Sequence, residues 1–106
     1  MADTVGALDR RLTIQRQHQA QDPSSGEVTT RWITVATVWA ARKQLTGREV
    51  EIAAATKSAE ELRFRIRYRA GIGTTMRVEC EGSSYAIVRV EEIGRRQWLD
   101  VYARRV

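Results

Sequence analysis

The stretch that decides the fold is Glu61-Leu62-Arg63-Phe64-Arg65-Ile66-Arg67-Tyr68-Arg69. Apolar residues and arginines alternate over its last eight positions. Because successive side chains of a β-strand point to opposite faces, this pattern predicts a strand with one apolar face and one guanidinium face. A helical period of 3.6 residues would scatter both sets around the axis. The apolar face predicts a β-sheet core, and the arginines raise the question of what they face.

The composition predicts one domain over residues 1–106, with a single modest core. The chain carries a net charge of +5, and only Lys43 and Lys57 are lysines among its 18 basic residues. Arginine suits bidentate pairing with phosphate or carboxylate. The codon bias of a GC-rich genome is the alternative explanation for the excess of arginine over lysine. No run approaches the ~18–20 apolar residues of a membrane span, and no secretory signal is visible. We therefore expect synthesis in a reducing cytoplasm and no membrane partner.

The residue patterns on both sides of this strand predict a mainly β fold. The expected architecture is a small antiparallel β-barrel or sandwich of about six strands, with one short helix between the second and third strands. The predicted strands are 8–17, 28–42, 61–69, 75–81, 84–91 and 97–104. The loop 18–27 is predicted to form the tip of a long hairpin, because it contains the only proline and a Ser-Ser-Gly run. The second segment is long for one straight strand, which predicts a bulge or break near 34–37.

The predicted helix begins at a capping box. Thr46 and Glu49 have the spacing in which a threonine caps a helix and a glutamate three residues later bonds back to it. The apolar face of the following residues is thin, so a helix of about 12 residues would be marginal alone. We expect fast amide exchange in this segment of the free monomer, and protection once a partner covers it.

The tryptophans are candidates for the core or for an interface. Trp32 and Trp39 are an odd number of residues apart, so in a regular strand they would face opposite sides. We expect Trp39 and Trp98 in the barrel core, and the position of Trp32 remains open between core and interface.

Residues that could support catalysis or metal binding are sparse. His18 is the only histidine and lies in the predicted loop. Cys80 is the only cysteine, which excludes an internal disulfide and a cysteine-based zinc site. The alternation of its strand predicts that the side chain points into the core, where a free cysteine behaves as a small hydrophobic residue. The pattern Gly71-x-Gly73 joins two predicted strands and indicates a turn. We therefore expect no catalytic residue, no metal and no cofactor.

The arginine strand has two interpretations. Its arginines could contact DNA phosphates or a neighbouring subunit. Alternatively, a hairpin with the next strand would pair Arg65 with Glu79 and Arg63 with Glu81, and a two-residue slip would pair Arg67 with Glu79 and Arg65 with Glu81. No aromatic residue is interleaved on this face of the strand, so base stacking is not indicated. The candidate basic face consists of Arg63, Arg65, Arg67 and Arg69.

An ordered series of segments then points to a family. The segments are GALDRRLTIQ (6–15), TVWAAR (37–42), LTGRE (45–49), RFRIRYRAGI (63–72), MRV (76–78), YAI (85–87) and GRRQWL (94–99). Trp39-Ala40 and Gly47-Arg48-Glu49 are the most distinctive pieces. In order and spacing they resemble the phage head–tail joining proteins, also called head closure, stopper or head completion proteins. These proteins occur in tailed phages, prophages and gene transfer agents.

The resemblance implies a structural virion protein of the head–tail connector, or neck, made in the bacterial host cytoplasm. Its subunits would form a hexameric or dodecameric ring between portal and adaptor proteins on the head side and tail terminator or tail proteins on the other. Double-stranded DNA would pass through the channel without sequence-specific contact. The alternative, motivated by the charge alone, is a free-standing small basic β-barrel that binds nucleic acid.

The resemblance also suggests a candidate channel or gating segment. In some relatives the segment between the second and third strands projects into the channel and helps to hold packaged DNA. The corresponding segment here is residues 45–59, with the candidate residues Leu45, Thr46, Gly47, Arg48, Glu49, Val50 and Lys57.

Overall fold

A computed structural model of the chain describes residues 8–43, 47, 48, 51 and 61–106. This part of the chain contains the strands β1 (Arg10–Gln21), β2 (Val28–Lys43), β3 (Glu61–Arg67), β4 (Arg77–Cys80), β5 (Ser83–Ile93) and β6 (Trp98–Arg105). All strand pairs are antiparallel, and the sheet closes into a barrel in the order β1-β2-β3-β6-β5-β4. The predicted mainly β, antiparallel barrel is confirmed.

The alternation in β3 separates the barrel interior from its outer face. Phe64 and Ile66 are fully buried, whereas Arg63 and Arg65 are partly exposed and Arg67 is exposed. The Phe64 ring meets the Tyr85 ring edge-on, with centroids 5.8 Å apart, a favourable aromatic geometry. The core cluster draws on all six strands and contains Leu12, Ile14, Ala40, Phe64, Ile66, Met76, Val78, Cys80, Ile87, Leu99, Val101 and Ala103.

The predicted irregularity in the second strand is a β-bulge. Ile14 of β1 pairs with Ala36, and the next residue pairs with Thr34, so Val35 is the extra residue of β2. Because the extra residue shifts the alternation by one, Trp32 and Trp39 lie on the same face of β2. Ala40, the residue after Trp39, belongs to the core cluster. Because neighbouring residues of a strand face opposite sides, both tryptophans lie on the outer face of the barrel.

The β1–β2 hairpin extends well beyond the barrel. β4 pairs with β1 only over Thr13–Gln15, and β3 pairs with β2 only from Ala40 to Lys43. Residues 16–21 and 28–33 therefore pair only with each other within the described part of the chain. We call residues 16–33 the hairpin arm; the molecule measures 57 Å along its longest axis, against 32 and 26 Å along the others.

The connecting loop of this hairpin is shorter than predicted. Strand pairing continues to Gln21 and Val28, so only residues 22–27 form the tip. The proline and the Ser-Ser-Gly run that predicted the loop lie within the tip itself, and the polar residues 18–21 before them pair along an exposed two-stranded ribbon that needs no apolar face.

The predicted hairpin between the third and fourth strands is wrong. β3 pairs with β2 and β6, whereas β4 pairs with β1 and β5. The two-glycine segment does not fold β4 back onto β3. Instead, Met76 N–H donates to the Gly73 carbonyl in a local turn, and β4 then closes the barrel against β1.

The predicted helix lies almost entirely outside the described residues. Within its range the structure describes Gly47, Arg48 and Glu51, which are exposed and have helical backbone. The expectation of fast amide exchange in this segment stays a prediction.

Cys80 is confirmed as a core residue and gives a first testable prediction. The side chain is 5% exposed, and burial raises the pKa of its thiol. Because the thiolate is the reactive form, we expect Cys80 to react with a maleimide or an aromatic disulfide far more slowly in the folded chain than in denaturant. An Ala20→Cys variant, with its added thiol on the exposed arm, supplies a fast-reacting control. Equal rates at the two thiols would contradict the burial of Cys80.

Candidate functional site

The outer face of β3 is organised around one buried carboxylate, Asp100 of β6. Arg65 pairs with Asp100 across the two strands and binds it through both carboxylate oxygens, with Nε–Oδ1 at 2.6 Å and Nη2–Oδ2 at 2.9 Å. Arg63 approaches the same carboxylate with Nη1–Oδ2 at 3.6 Å. Asp100 is only 1% exposed, so its charge depends on these arginines for compensation.

The prediction that these arginines pair with Glu79 and Glu81 is wrong. Glu79 lies near Arg77 and accepts a hydrogen bond from Ser84 Oγ at 3.3 Å, and Glu81 pairs with Arg10. The physical reason is the strand order, because β3 has β6 rather than β4 as its neighbour. The interpretation that two of the four arginines pair within the chain holds, but with Asp100 as their partner.

A second group of contacts covers β6 next to Asp100. The guanidinium carbon of Arg89 lies 3.8 Å from the centroid of the Tyr102 ring, and Tyr102 Oη lies 3.5 Å from a carboxylate oxygen of Glu91. Tyr102 is 3% exposed although it faces away from the core cluster. Apolar residues on both faces of the last two strands predict that both faces are covered, one of them by another subunit. In β6, residues 99–103 are covered within the chain, with Asp100 and Tyr102 beneath arginines on the outer side, whereas β5 exposes Arg89 and Glu91.

The structure contradicts the expectation that Trp39 lies in the barrel core. Trp39 is 50% exposed, and the guanidinium carbon of Arg11 stacks 4.6 Å from its ring centroid. Trp32, also on the outer face, is half-buried beneath Arg77 at 4.3 Å. Trp98 pairs with Arg67 at the start of β6, is half-buried, and is not part of the core cluster. The bulge explains both β2 tryptophans, because it puts each on the outer face.

The two remaining arginines of the strand border an open pocket. Arg67 and Arg69 are exposed, and within the described residues neither has an ion pair. They line a pocket of about 460 Å³ together with Leu8, Val38, Trp39 and Tyr68. A third guanidinium group, that of Arg96, lies 5.8 Å from the Tyr68 ring centroid. The pocket therefore combines an apolar and aromatic lining with a cationic rim, a surface suited to an acidic partner that also carries an apolar group.

The candidate channel segment contributes little to the described surface. Only Gly47 and Arg48 of its seven candidate residues are described, and both are exposed. The other candidates lie outside the described residues.

No group of three or more His, Cys, Asp or Glu side chains arranged to hold a metal occurs in the described part of the chain. His18 lies on the exposed hairpin arm, distant from Cys80 in the core. The described residues also include no helix long and apolar enough to cross a membrane.

Comparison with known proteins identifies the family. The model of the phage head completion proteins matches residues 4–106, almost the whole chain. The chain belongs to this family. The resemblance read from the ordered segments is thus confirmed, and family membership supports a structural role in the virion rather than a catalytic one. No curated protein matches the chain.

Two solved structures share the head completion fold. Protein SF1141 from Shigella flexneri 2a, determined in solution, is 27% identical, with 97% of this chain and 96% of that one covered at a TM-score of 0.80. A chain of the virion of a native gene transfer agent particle is 18% identical, with 93% and 96% covered at a TM-score of 0.60. The second likeness is one of fold.

The two features that sequence reasoning missed are Asp100 and the pocket. Asp100 has a signal in the sequence, since it is the only charged residue from Trp98 to Ala103. An acid inside an otherwise apolar strand needs a partner when it is buried. The pocket has no such signal, because its lining comes from three segments far apart in the chain.

Proposed function

We propose that this head completion protein is a subunit of a head–tail connector ring, which joins the portal and adaptor proteins to the tail and surrounds the DNA channel. The match of the family model to residues 4–106 carries the proposal. The shared fold with a chain of a gene transfer agent virion supports it. The ring would be hexameric or dodecameric.

The described surface supports repeated contacts with other protein chains. Trp39 and Tyr68, with Arg67 and Arg69 beside them, are residue types that are enriched at the energetic centres of interfaces. The Arg65–Asp100 pair, by contrast, is buried within the subunit and holds β3 against β6. Of the candidate basic face, Arg67 and Arg69 are therefore our candidates for contact, and Arg63 and Arg65 have a structural role.

The charge supports a channel that passes DNA without reading its sequence. A net charge of +5 with 18 basic residues favours proximity to phosphate, and contacts to the backbone alone carry no base information. We propose that residues 45–59, including Leu45, Thr46, Gly47, Arg48, Glu49, Val50 and Lys57, face the channel.

The test is deletion of the gene from the phage, prophage or transfer-agent cluster that encodes it. We expect heads that lose packaged DNA or fail to acquire tails, because the ring would be missing between portal and tail. Infectivity should return when the gene is supplied from a plasmid, and an empty plasmid is the control. Normal infectious particles assembled without the protein would contradict the proposal.

A free-standing nucleic-acid-binding barrel remains the second candidate, favoured by the two exposed arginines beside Trp39 and Tyr68. This function predicts salt-dependent binding of duplex DNA by the isolated monomer. Arg67→Ala with Arg69→Ala should then lower the slope of log K against log salt by about 2. An Arg95→Ala, Arg104→Ala variant removes two other exposed arginines as the matched control. Absence of binding at low salt would exclude this candidate.

A further inference from the structure

The tip of the hairpin arm is acidic although the protein is basic. Residues 17–30 form the longest stretch without lysine or arginine, and they contain the carboxylates of Asp22 and Glu27. Every residue of this stretch is exposed. The tip therefore presents local negative charge at the end of a projection on a chain of net charge +5.

The tip is also rigidly organised. Asp22 N–H donates to the Glu27 carbonyl at 2.8 Å, and Gly26 N–H donates to the Asp22 carbonyl at 2.8 Å. Ser24 donates to the Asp22 carboxylate from its backbone N–H at 2.9 Å and from its hydroxyl at 2.8 Å. Gly26 supplies the left-handed backbone, with φ of +73°, that the turn requires. A loop held in one conformation loses less entropy on binding than a disordered one.

The hydrogen bonds from Ser24 also lower the pKa of the Asp22 carboxyl below its usual range. The carboxylate therefore stays ionised to a lower pH than an ordinary aspartate does. Beside it, Val28 is 57% exposed, so the tip offers both negative charge and an apolar side chain.

The pocket bordered by Arg67 and Arg69 is complementary in charge and polarity. Its lining includes two guanidinium groups and no carboxylate, with apolar surface from Val38, Trp39 and Tyr68. Trp39, half exposed, is the large aromatic side chain with the most surface left to bury. An acidic loop with an exposed apolar residue suits such a pocket, because the apolar contact excludes water from the ion pairs.

A chain cannot place its own tip in its own pocket. Val38 of the pocket pairs with Leu12, and β1 continues for nine further residues to Gln21. At about 3.3 Å per residue, the tip begins about 30 Å from the pocket along the same pair of strands. The two surfaces can therefore meet only between molecules.

We propose that the arm tip of one copy docks in the Arg67–Arg69 pocket of the next copy. Asp22 and Glu27 would pair with the two arginines, and Val28 would pack against Trp39 and Tyr68. Two different surfaces meeting in this way form a head-to-tail contact, which generates a closed ring if the rotation between copies permits. This assignment rests on the proposed ring and names the contact that builds it.

Charge reversal on each surface tests the contact. Asp22→Arg with Glu27→Arg, and separately Arg67→Glu with Arg69→Glu, should each weaken self-association by about tenfold or more at low salt, measured by sedimentation velocity. The four substitutions together restore opposite charges and should recover most of the association. Arg95→Glu with Arg104→Glu, which changes the net charge as the pocket reversal does but at other exposed sites, should leave association near that of the parent chain.

Cross-linking locates the contact directly. A chain with Ala20→Cys on the arm is mixed with a chain with Ala70→Cys beside the pocket, and a short bis-maleimide should join them into a covalent heterodimer, because each chain has one accessible thiol. The parent chain, whose one cysteine is the buried Cys80, is the control. Absence of this cross-link, or equal association of the one-sided reversal variants and the parent, would overturn the docking. Gene deletion tests the connector function independently, so failure of one is distinguishable from failure of the other.

Discussion

Replacement of Asp100 by alanine should lower the free energy of unfolding by about 3 kcal/mol. Asp100 is 1% exposed and accepts two hydrogen bonds from Arg65, with Arg63 at 3.6 Å. Its loss leaves two adjacent guanidinium groups without their shared counter-charge. The expected value lies at the lower end of the range for broken buried pairs, because these arginine side chains keep 17% and 18% of their surface exposed.

Urea denaturation at pH 7 with linear extrapolation measures this change. Asp100→Asn should reproduce most of the loss, because it keeps the shape and removes the charge. The matched control is Asp9→Ala, since Asp9 is an exposed aspartate just before β1. Its effect should stay within about 0.5 kcal/mol. A similar small effect at Asp100 would show that the buried carboxylate contributes no net stabilisation.

Local alternation accounts for what the sequence predicts well. The period-two pattern from Leu62 to Arg69 defines the faces of β3 without reference to any other element. The same is true of Met76, Val78 and Cys80, of which all three lie in the core. A strand's own residues, however, do not identify its neighbours in a sheet. The incorrect pairing of Arg63 and Arg65 with Glu81 and Glu79 follows from that gap, since their true partner, Asp100, is 37 and 35 residues away.

Trp39 shows how a single inserted residue changes a prediction. The bulge was predicted in the right region, and with Val35 as the extra residue it places Trp32 and Trp39 on one face. The expectation of a core position for Trp39 relied on hydrophobicity. The outer position is stabilised by Arg11, which pairs directly opposite on β1 and stacks on the ring.

Only those parts of the candidate site that lie within one stretch of sequence were predictable. Arg67 and Arg69 were in the predicted basic face, but their separation from Arg63 and Arg65 depends on the residue opposite each on β6: Asp100 lies opposite Arg65, whereas Trp98 lies opposite Arg67. The pocket requires Leu8, Val38 and Tyr68 to meet, which only the closed barrel achieves. Likewise, the acidic character of the tip is evident in the sequence, but its distance from the pocket follows from the length of β1.

Replacement of Phe64 by alanine should lower the free energy of unfolding by about 3–5 kcal/mol, the usual range for loss of a buried phenylalanine. Phe64 is 1% exposed and is paired between Arg42 of β2 and Val101 of β6. Its ring packs against Tyr85 in the barrel interior, and core residues of the other five strands enclose it. A barrel closed by hydrogen bonds collapses poorly around a void, so the cavity term should add to the lost burial.

Thermal unfolding measures this effect, and the melting temperature should fall by about 12 °C or more for a domain of this size. Phe64→Leu is the control, because it retains most of the apolar volume and should cost less than about 2 kcal/mol. The Arg65–Asp100 pair lies on the opposite face of β3, so the effects of Phe64→Ala and Asp100→Asn should add closely if the two faces act independently. A Phe64→Ala variant as stable as the parent would show that the apolar face of β3 does not determine the barrel core. Strong non-additivity would instead mean that the core and the buried ion pair stabilise β3 as one unit.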